Sequence, residues 1–231
     1  GQGFRALPAL AKKPFRDMWK SYSAKKPAQA KVNIMLFAGC AQDFIYPEQL
    51  AAAMEIFNAH NVNVMFPMDQ TCCGLPLKMM GERTTAEAVA LQNIKAFDTA
   101  TCDYVVTLCA SCASHMKHGY PDMVKQESMK LDTREFADKI IDFSSFCKNV
   151  LELEPQDFSR TDQDVTYHAP CHLCRGMGVT QEPLELVKGI GNYKEAEGYD
   201  SCCGFGGSYS VKFPELSKQI LARKLANFEA T

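Results

Sequence analysis

The chain has 231 residues, 46% hydrophobic and 23% charged, with a formal net charge of −2, the balance of an ordinary globular protein long enough for one large domain or two small ones. Its longest apolar runs, such as IMLFAGCA at 34–41, fall far short of the roughly 20 residues a membrane helix needs, so no transmembrane segment is expected. No charged leader with an apolar core opens the chain, which argues against secretion, and a body this acidic repels phosphate, which argues against nucleic acid.

The charge is unevenly spread. Residues 1–31 hold Arg5, Lys12, Lys13, Arg16, Lys20, Lys25, Lys26 and Lys31 against Asp17 alone, a balance of +7 that leaves −9 for the remainder. A basic stretch of this kind suits anionic lipid or an acidic partner surface. Its aromatics (Phe4, Phe15, Trp19, Tyr22) and its prolines at 8, 14 and 27 favour a connector docked along a neighbouring domain. VNIMLFAG at 32–39 then reads as a buried strand, and PEQLAAAMEIFNAHN at 47–61 as a helix with Pro in its first turn and Leu50, Met54 and Phe57 on one face. VNVMFPMD at 62–69 is a second strand. Residues 84–100 form a helix, capped by Thr84 with Glu87 three residues on, and DYVVTLCASC at 103–112 is a third strand running into a turn. The more polar residues 121–163 hold one or two helices and end in a linker at 151–163.

The pattern then restarts. DVTYHAPC at 164–171 is a strand ending in cysteine, EPLELVKGIG at 182–191 a helix, YKEAEGYD at 193–200 an approach segment, and FPELSKQILARKLANFEA at 213–230 a periodic helix. Alternating strands and helices predict an α/β fold of two pseudo-repeated units, each a small, mainly parallel sheet flanked by helices with cysteines at strand ends. The expected organisation is a connector at 1–31, a first repeat at 32–150, the linker, and a second repeat at 164–231.

Eleven cysteines in such a chain, an odd number, point to metal or redox chemistry rather than disulfides. In the first half Cys40 is followed after 31 residues by Cys72-Cys73-Gly74, and after 34 more by Cys109-x-x-Cys112. In the second, Cys171 is followed after 30 residues by Cys202-Cys203-Gly204. Adjacent cysteines make a strained disulfide but a compact pair of thiolates, and the glycine allows close approach to a bulky group. In the second copy Gly206 and Gly207 add further free amides. Five sulfurs exceed the four that tetrahedral zinc takes and suit a multi-iron cluster better.

These motifs resemble the cysteine-rich CCG proteins: the B subunit of heterodisulfide reductase and the iron–sulfur subunits of glycolate oxidase, lactate-utilisation enzymes and anaerobic glycerol-3-phosphate dehydrogenase. The resemblance covers about residues 31–231 and is closest to the lactate and glycolate branch in TYHAPCHLCRGMGV and SCCGFGGSYSVKFPELS. It implies that Cys40, Cys72, Cys73, Cys109 and Cys112 bind a [4Fe-4S] cluster, non-cubane in some relatives, and that Cys171, Cys202 and Cys203 belong to a second site. That site departs from the pattern, because only 27 residues follow Gly204 and no second Cys-x-x-Cys closes it. The chain is therefore expected to be cut short within its last unit, and zinc is an alternative occupant there. Similar proteins carry a ferredoxin-like Cys-x-x-Cys-x-x-Cys segment upstream that is not seen here. His168, His172 and Cys174 are additional candidate ligands, set against structural roles for the histidines and a bystander role for Cys174; Arg175 is a candidate counter-charge. Cys102, Cys147 and the Met79-Met80 pair are expected in the core.

Three functions follow from the resemblance and the cysteines. The first is an electron-transfer subunit in the cytoplasm, taking electrons from a flavoprotein dehydrogenase that oxidises a 2-hydroxy acid and passing them toward quinone, with a membrane or quinone-reducing partner bringing it to the inner face of the membrane. The second is a catalytic subunit that cleaves a disulfide at its cluster. The third is a zinc-stapled interaction module; a thioredoxin-like dithiol at Cys109 and Cys112 leaves Cys40, Cys72 and Cys73 without a role.

Overall fold

A computed structural model describes residues 8–23 and 27–231. Phe4, Arg5, Lys25 and Lys26 of the basic stretch lie outside the described residues. The chain divides into two compact units, Pro8–Phe143 and a unit containing Ser144–Thr231.

The first unit opens with α1 (Phe15–Ser23). Phe15 is fully buried, stacked on Tyr22 at 5.3 Å and packed against Phe66, while Trp19 stacks on Phe66 at 5.3 Å. Burying rings of this size costs little side-chain entropy for the area removed from water, which holds the segment on the body. There follow β1 (Val32–Phe37), α2 (Gly39–Phe44), α3 (Pro47–Ala59) and β2 (Val62–Met65). After the first Cys-Cys-Gly come α4 (Leu75–Met80), α5 (Arg83–Ala96) and β3 (Tyr104–Thr107). Then α6 (Ala110–Ser114) runs through a π-helical turn at 115–119 into α7 (Tyr120–Met123), and α8 (Lys130–Asp138) leads to β4 (Ile140–Asp142).

The four strands form one parallel sheet in the order β2-β1-β3-β4, with Val32 opposite Val62, Ile34 opposite Tyr104 and Val105 opposite Ile140. Its near-continuous apolar strands are what a parallel sheet covered on both faces requires. Ile34, Leu36, Phe37, Val105 and Val106 are fully buried with Leu50 and Phe57 of α3 and Phe136 of α8. The strand at 140–142 carries too few residues to register as a period and was not among the sequence expectations.

The second unit starts within a helical stretch opened by α9 (Phe143–Ser145). Its sheet has two short parallel strands, β5 (Asp164–Val165) and β6 (Asn192–Tyr193). Between them lie α10 (Cys171–Cys174) and α11 (Gln181–Ile190), and α12 (Ser208–Lys212) and α13 (Pro214–Glu229) follow. Gly191 stands where a Cβ would come within 2.8 Å of Val165, so the small residue lets the chain pass close to β5. The strand expected over 164–171 is reduced to the two residues of β5, and of the approach segment at 193–200 only Tyr193 lies in a strand.

Two local expectations are corrected. Thr84 does not cap α5, whose preceding residue is Glu82, and Glu87 instead accepts the backbone N–H of Lys125 at 2.7 Å. Met79 and Met80 are exposed rather than core, because the single short turn of α4 buries none of its residues. Cys102 and Cys147 are buried as expected.

Candidate metal centre

From β1 the chain passes to one side to form β2, then crosses to the other side of β1 to form β3. Connections that leave adjacent strands in opposite directions open a crevice at their carboxyl ends. Cys40 lies three residues past β1 in the first turn of α2, Cys109 lies two residues past β3 just before α6, and the loop after β2 delivers Cys72 and Cys73. Gly39, at φ +66°, shows how tight the crevice is: a Cβ there would sit 3.3 Å from Cys112 Sγ and 3.3 Å from the Phe37 ring.

All five sulfurs meet. Cys40 hydrogen-bonds Cys72, Cys72 bonds Cys73, Cys73 bonds Cys112, and Cys112 bonds Cys109. The protons are unevenly shared along this array. Donation from Cys40, then from Cys73, holds Cys72 far below the ordinary thiol range, helped by the Gly74 amide at 3.5 Å and the nearby His115. Donation from Cys112, joined by the amides of Cys112 and Ser111, lowers Cys109 to about 6 against the cost of burial. Cys40 and Cys112 are raised as donors to their neighbours and by burial. Cys73 receives from Cys112, yet its donation to Cys72 and its burial outweigh that and raise it. Two sulfurs of the array, Cys72 and Cys109, are thus lowered, and the other three are raised, with Cys73 and Cys112 adjacent between the two lowered ones.

A polar frame fixes the loops that carry these sulfurs. Gln70, buried, accepts from Ala38 N at 2.8 Å and donates to the carbonyls of Leu36 and Pro67, tying the β2 loop to the end of β1. Asn93, also buried, accepts from Thr71 N at 2.9 Å and donates to Cys72 O and to the Tyr120 hydroxyl; that hydroxyl donates to Cys73 O at 3.0 Å. Arg16 reaches in from α1. Its backbone and side chain donate to Asp43, with Nε to Oδ2 at 2.6 Å, and the guanidinium also donates to Gln70 O. Asp43, fully buried, sits three residues after Cys40, so one ion pair links α1 to both the Cys40 turn and the Cys72 loop. Gly119 lets His115 lie against the π-helical turn, for a Cβ there would come 2.2 Å from its Nδ1.

The second set gathers more loosely. Cys171 is raised chiefly by burial and next by the charges of Cys202 and Cys174, with Arg175 opposing and Cys203 adding a further contribution. Cys202 is exposed and Cys203 half-buried. The Cys-Cys-Gly turn repeats the first in detail: Gly204 N donates to Cys202 Sγ at 3.3 Å, and Gly204 has φ +73° where Gly74 has φ +84°. His168 turns to Tyr199 O at 3.3 Å, the exposed His172 lies beside Cys171, and the Cys174 thiol faces Cys171 O at 3.9 Å. Arg175 is exposed, 4.0 Å from Asp200.

Among the described residues no group of three or more His, Cys, Asp or Glu is arranged to hold a single metal ion. The first set instead offers five soft sulfur donors touching one another, with no oxygen or nitrogen ligand between them, a donor set that fits a multi-metal sulfur cluster. Gln70, Asn93, Tyr120, His115 and the Arg16–Asp43 pair were not singled out by sequence reasoning. Only His115 carried a signal, standing three residues after Cys112 on the same helical run.

A parallel sheet that presents a thiol array at its switch point, followed by a second Cys-Cys-Gly turn of the same build, defines a cysteine-rich α/β protein. The CCG cysteine-rich domain matches residues 34–117 and 165–231. The chain belongs to this CCG family. It is 35% identical to lactate utilization protein A 2 of Bacillus cereus over 87% of its own length and 83% of the relative's. It is 34% identical to lactate utilization protein A 1 of Bacillus anthracis over the same shares. An uncharacterized iron-sulfur protein of Methanococcus maripaludis is 35% identical over 87% of this chain and 38% of its own length.

Proposed function

We propose that this chain is an iron–sulfur electron-transfer subunit of a 2-hydroxy-acid oxidoreductase of the lactate-utilisation type. It takes electrons from a flavoprotein dehydrogenase partner and passes them toward quinone or another carrier. The observation that carries this reading is the joined array of Cys40, Cys72, Cys73, Cys109 and Cys112, with the relatives' names giving its context. These five residues would hold a [4Fe-4S]-class cluster, which supplies one-electron chemistry when bound. Cys171, Cys202 and Cys203, with Cys174 beside them, would hold the second metal group.

The chain's own residues do the rest. The thiols of Cys40, Cys73 and Cys112 must lose their protons for metal to bind, and Cys72 and Cys109 are already poised as thiolates. Asn93 and Tyr120 hold the carbonyls of the adjacent pair and Gln70 ties their loop to the end of β1, so that the sulfurs keep their positions when the charge of the site changes. Residues 32–150 and 164–231 are the two binding repeats in this reading. No helix among the described residues is long and apolar enough to cross a membrane.

The test is anaerobic reduction by a lactate-oxidising flavoprotein partner. Bleaching of the visible absorption on adding lactate, abolished by Cys72→Ser, is the expected result. A second reading, disulfide cleavage at the cluster, draws on the exposure of Cys40 at the rim of the array. It requires turnover of a disulfide with a reduced donor, and inertness toward disulfides removes it.

A further inference from the structure

The two Cys-Cys-Gly turns each rest on a helix, α5 and α13, and the two helices carry different polar residues against the turn. A Cβ on Gly74 would meet Ala86 O and Val89 of α5, each at 3.4 Å; a Cβ on Gly204 would meet Ser217 O at 2.6 Å and Ile220 at 2.9 Å of α13. Counted from each glycine, the contacts in α13 fall one residue later than those in α5. With that single offset Lys224 occupies the place of Asn93. Asn93 binds Thr71 N and Cys72 O; Lys224 binds the equivalent stretch, Ser201 O at 2.8 Å, with Gly198 O and Tyr199 O each at 3.0 Å.

Lys224 is 6% exposed, one of the few charged side chains so enclosed. An ammonium has three N–H donors and no acceptor, and here three carbonyl oxygens take all three. Burial pushes the Lys224 pKa down, but a neutral amine would turn its lone pair toward one of these oxygens, so the carbonyl cage favours the cation against that burial. The groups that feel this charge are Cys203, Asp200, Cys171 and Cys202, together with His168. Asp200 is largely solvated and faces Arg175, which leaves the half-buried Cys171 and Cys203 and the exposed Cys202 as the remaining partners of the ammonium. In the first set the same helix position is uncharged.

We propose that Lys224 is the internal counter-cation of the second cysteine set and makes electron uptake there easier than at the first. The proposal rests on the iron–sulfur reading and adds an order to it: the second group is the downstream acceptor. A fixed positive charge in a partly dry site stabilises each added electron, so it raises the reduction potential of the group it faces. Lys224 is a positioning residue in this role, since it acts through the thiolates and not on the electron carrier itself.

The experiment compares the full chain with Lys224→Gln, which keeps an N–H donor for the carbonyl cage but drops the charge, and Lys224→Arg, which keeps the charge. All three are loaded with iron and sulfide anaerobically and titrated potentiometrically by electron paramagnetic resonance. In K224Q the second signal is expected to shift negative by at least tenfold in its one-electron equilibrium, about 59 mV. K224R should stay near the parent, and the first signal should not move in either variant. Equal shifts in both variants, or no shift in K224Q, overturn the proposal. A parallel measurement on the metal-free chain does not depend on a second cluster: at neutral pH iodoacetamide should label Cys202 and Cys203 several-fold more slowly in K224Q than in the parent or K224R. Equal labelling rates overturn the counter-cation role, whereas lack of iron at the second set counts against the iron–sulfur reading of that set and leaves the labelling result to judge Lys224.

Discussion

The two cysteine sets share a turn and differ in almost everything around it. Gly74 and Gly204 both adopt positive φ, and both donate their amides to the first sulfur of the adjacent pair at 3.5 and 3.3 Å. The first set sits at the switch point of a four-stranded sheet, where strands adjacent in space but distant in sequence bring Cys40, Cys109 and Cys112 to the same crevice. The second has two strands of two residues each and lacks any counterpart of β3 among the described residues. The Cys-Cys-Gly turn is therefore a local device that six or seven residues encode. The five-sulfur array is a product of topology, and the strands beside the turn decide how many donors it gains.

The sharpest way to break this comparison is to remove one sulfur from each turn. Cys72→Ser should abolish iron retention at the first set, since Cys72 bonds two neighbours in the middle of the array. Cys202→Ser, in the exposed and less connected set, should remove only the smaller share of iron. Iron analysis with the visible spectrum reads both, and equal losses would contradict the difference drawn between the sets.

Next in size is the Arg16–Asp43 ion pair of the first unit, whose carboxylate is fully buried. Arg16→Met leaves the fully buried Asp43 without its cation, a change that costs about 3–5 kcal/mol when a buried pair is halved. The single tryptophan, Trp19, lies on the same helix, so its fluorescence during denaturation follows the first unit alone. A loss under about 1 kcal/mol would mean that α1 does not brace the site.

The glycines sharpen the comparison from the other side. Both positive-φ positions cost alanine about 1–2 kcal/mol. Only Gly204→Ala also drives a Cβ to 2.6 Å from Ser217 O, so it should destabilise more than Gly74→Ala, whose nearest contacts are at 3.4 Å. Thermal unfolding of the two variants measures the order, and the reverse order would show that the turns are not packed as described.

The smallest effect is a titration. In the metal-free chain Cys109, held at about 6 by donation from Cys112, contributes no stability below pH 6, gains it between pH 6 and 9, and keeps it above 9. Cys171 is raised instead and offers no such gain. Thiolate ultraviolet absorbance should accordingly persist at pH 7 and lose a step near pH 6 that Cys109→Ser removes. Absorbance that first appears near pH 9 would contradict the lowering of Cys109 by its neighbour.

Much of this was legible in the chain. The apolar runs at 32–39 and 62–69, the helices at 47–61 and 213–230, and the near-equal spacings of 31 and 30 residues follow from periodicity and cysteine positions, which are local signals. What the sequence hid is non-local. Gln70 and Asn93 look like ordinary surface amides until the loop after β2 closes over them, and Arg16 and Asp43 meet only because α1 packs back on Phe66. Thr84 is no cap because α5 already begins at Arg83, and Glu87 accepts from Lys125 N, 38 residues away. Lys224 sits in a helix where a lysine ordinarily faces water, and only the folded chain brings it onto the Ser201 carbonyl next to the second cysteine pair.

The central claim is that the five thiols of the first unit grip iron together. Anaerobic isolation followed by iron, zinc and acid-labile sulfide analysis, with and without Cys112→Ser, tests it most directly. The account predicts a coloured chain holding iron and sulfide that this single substitution at the buried end of the array depletes. A colourless chain containing zinc, or iron that Cys112→Ser leaves untouched, would contradict it.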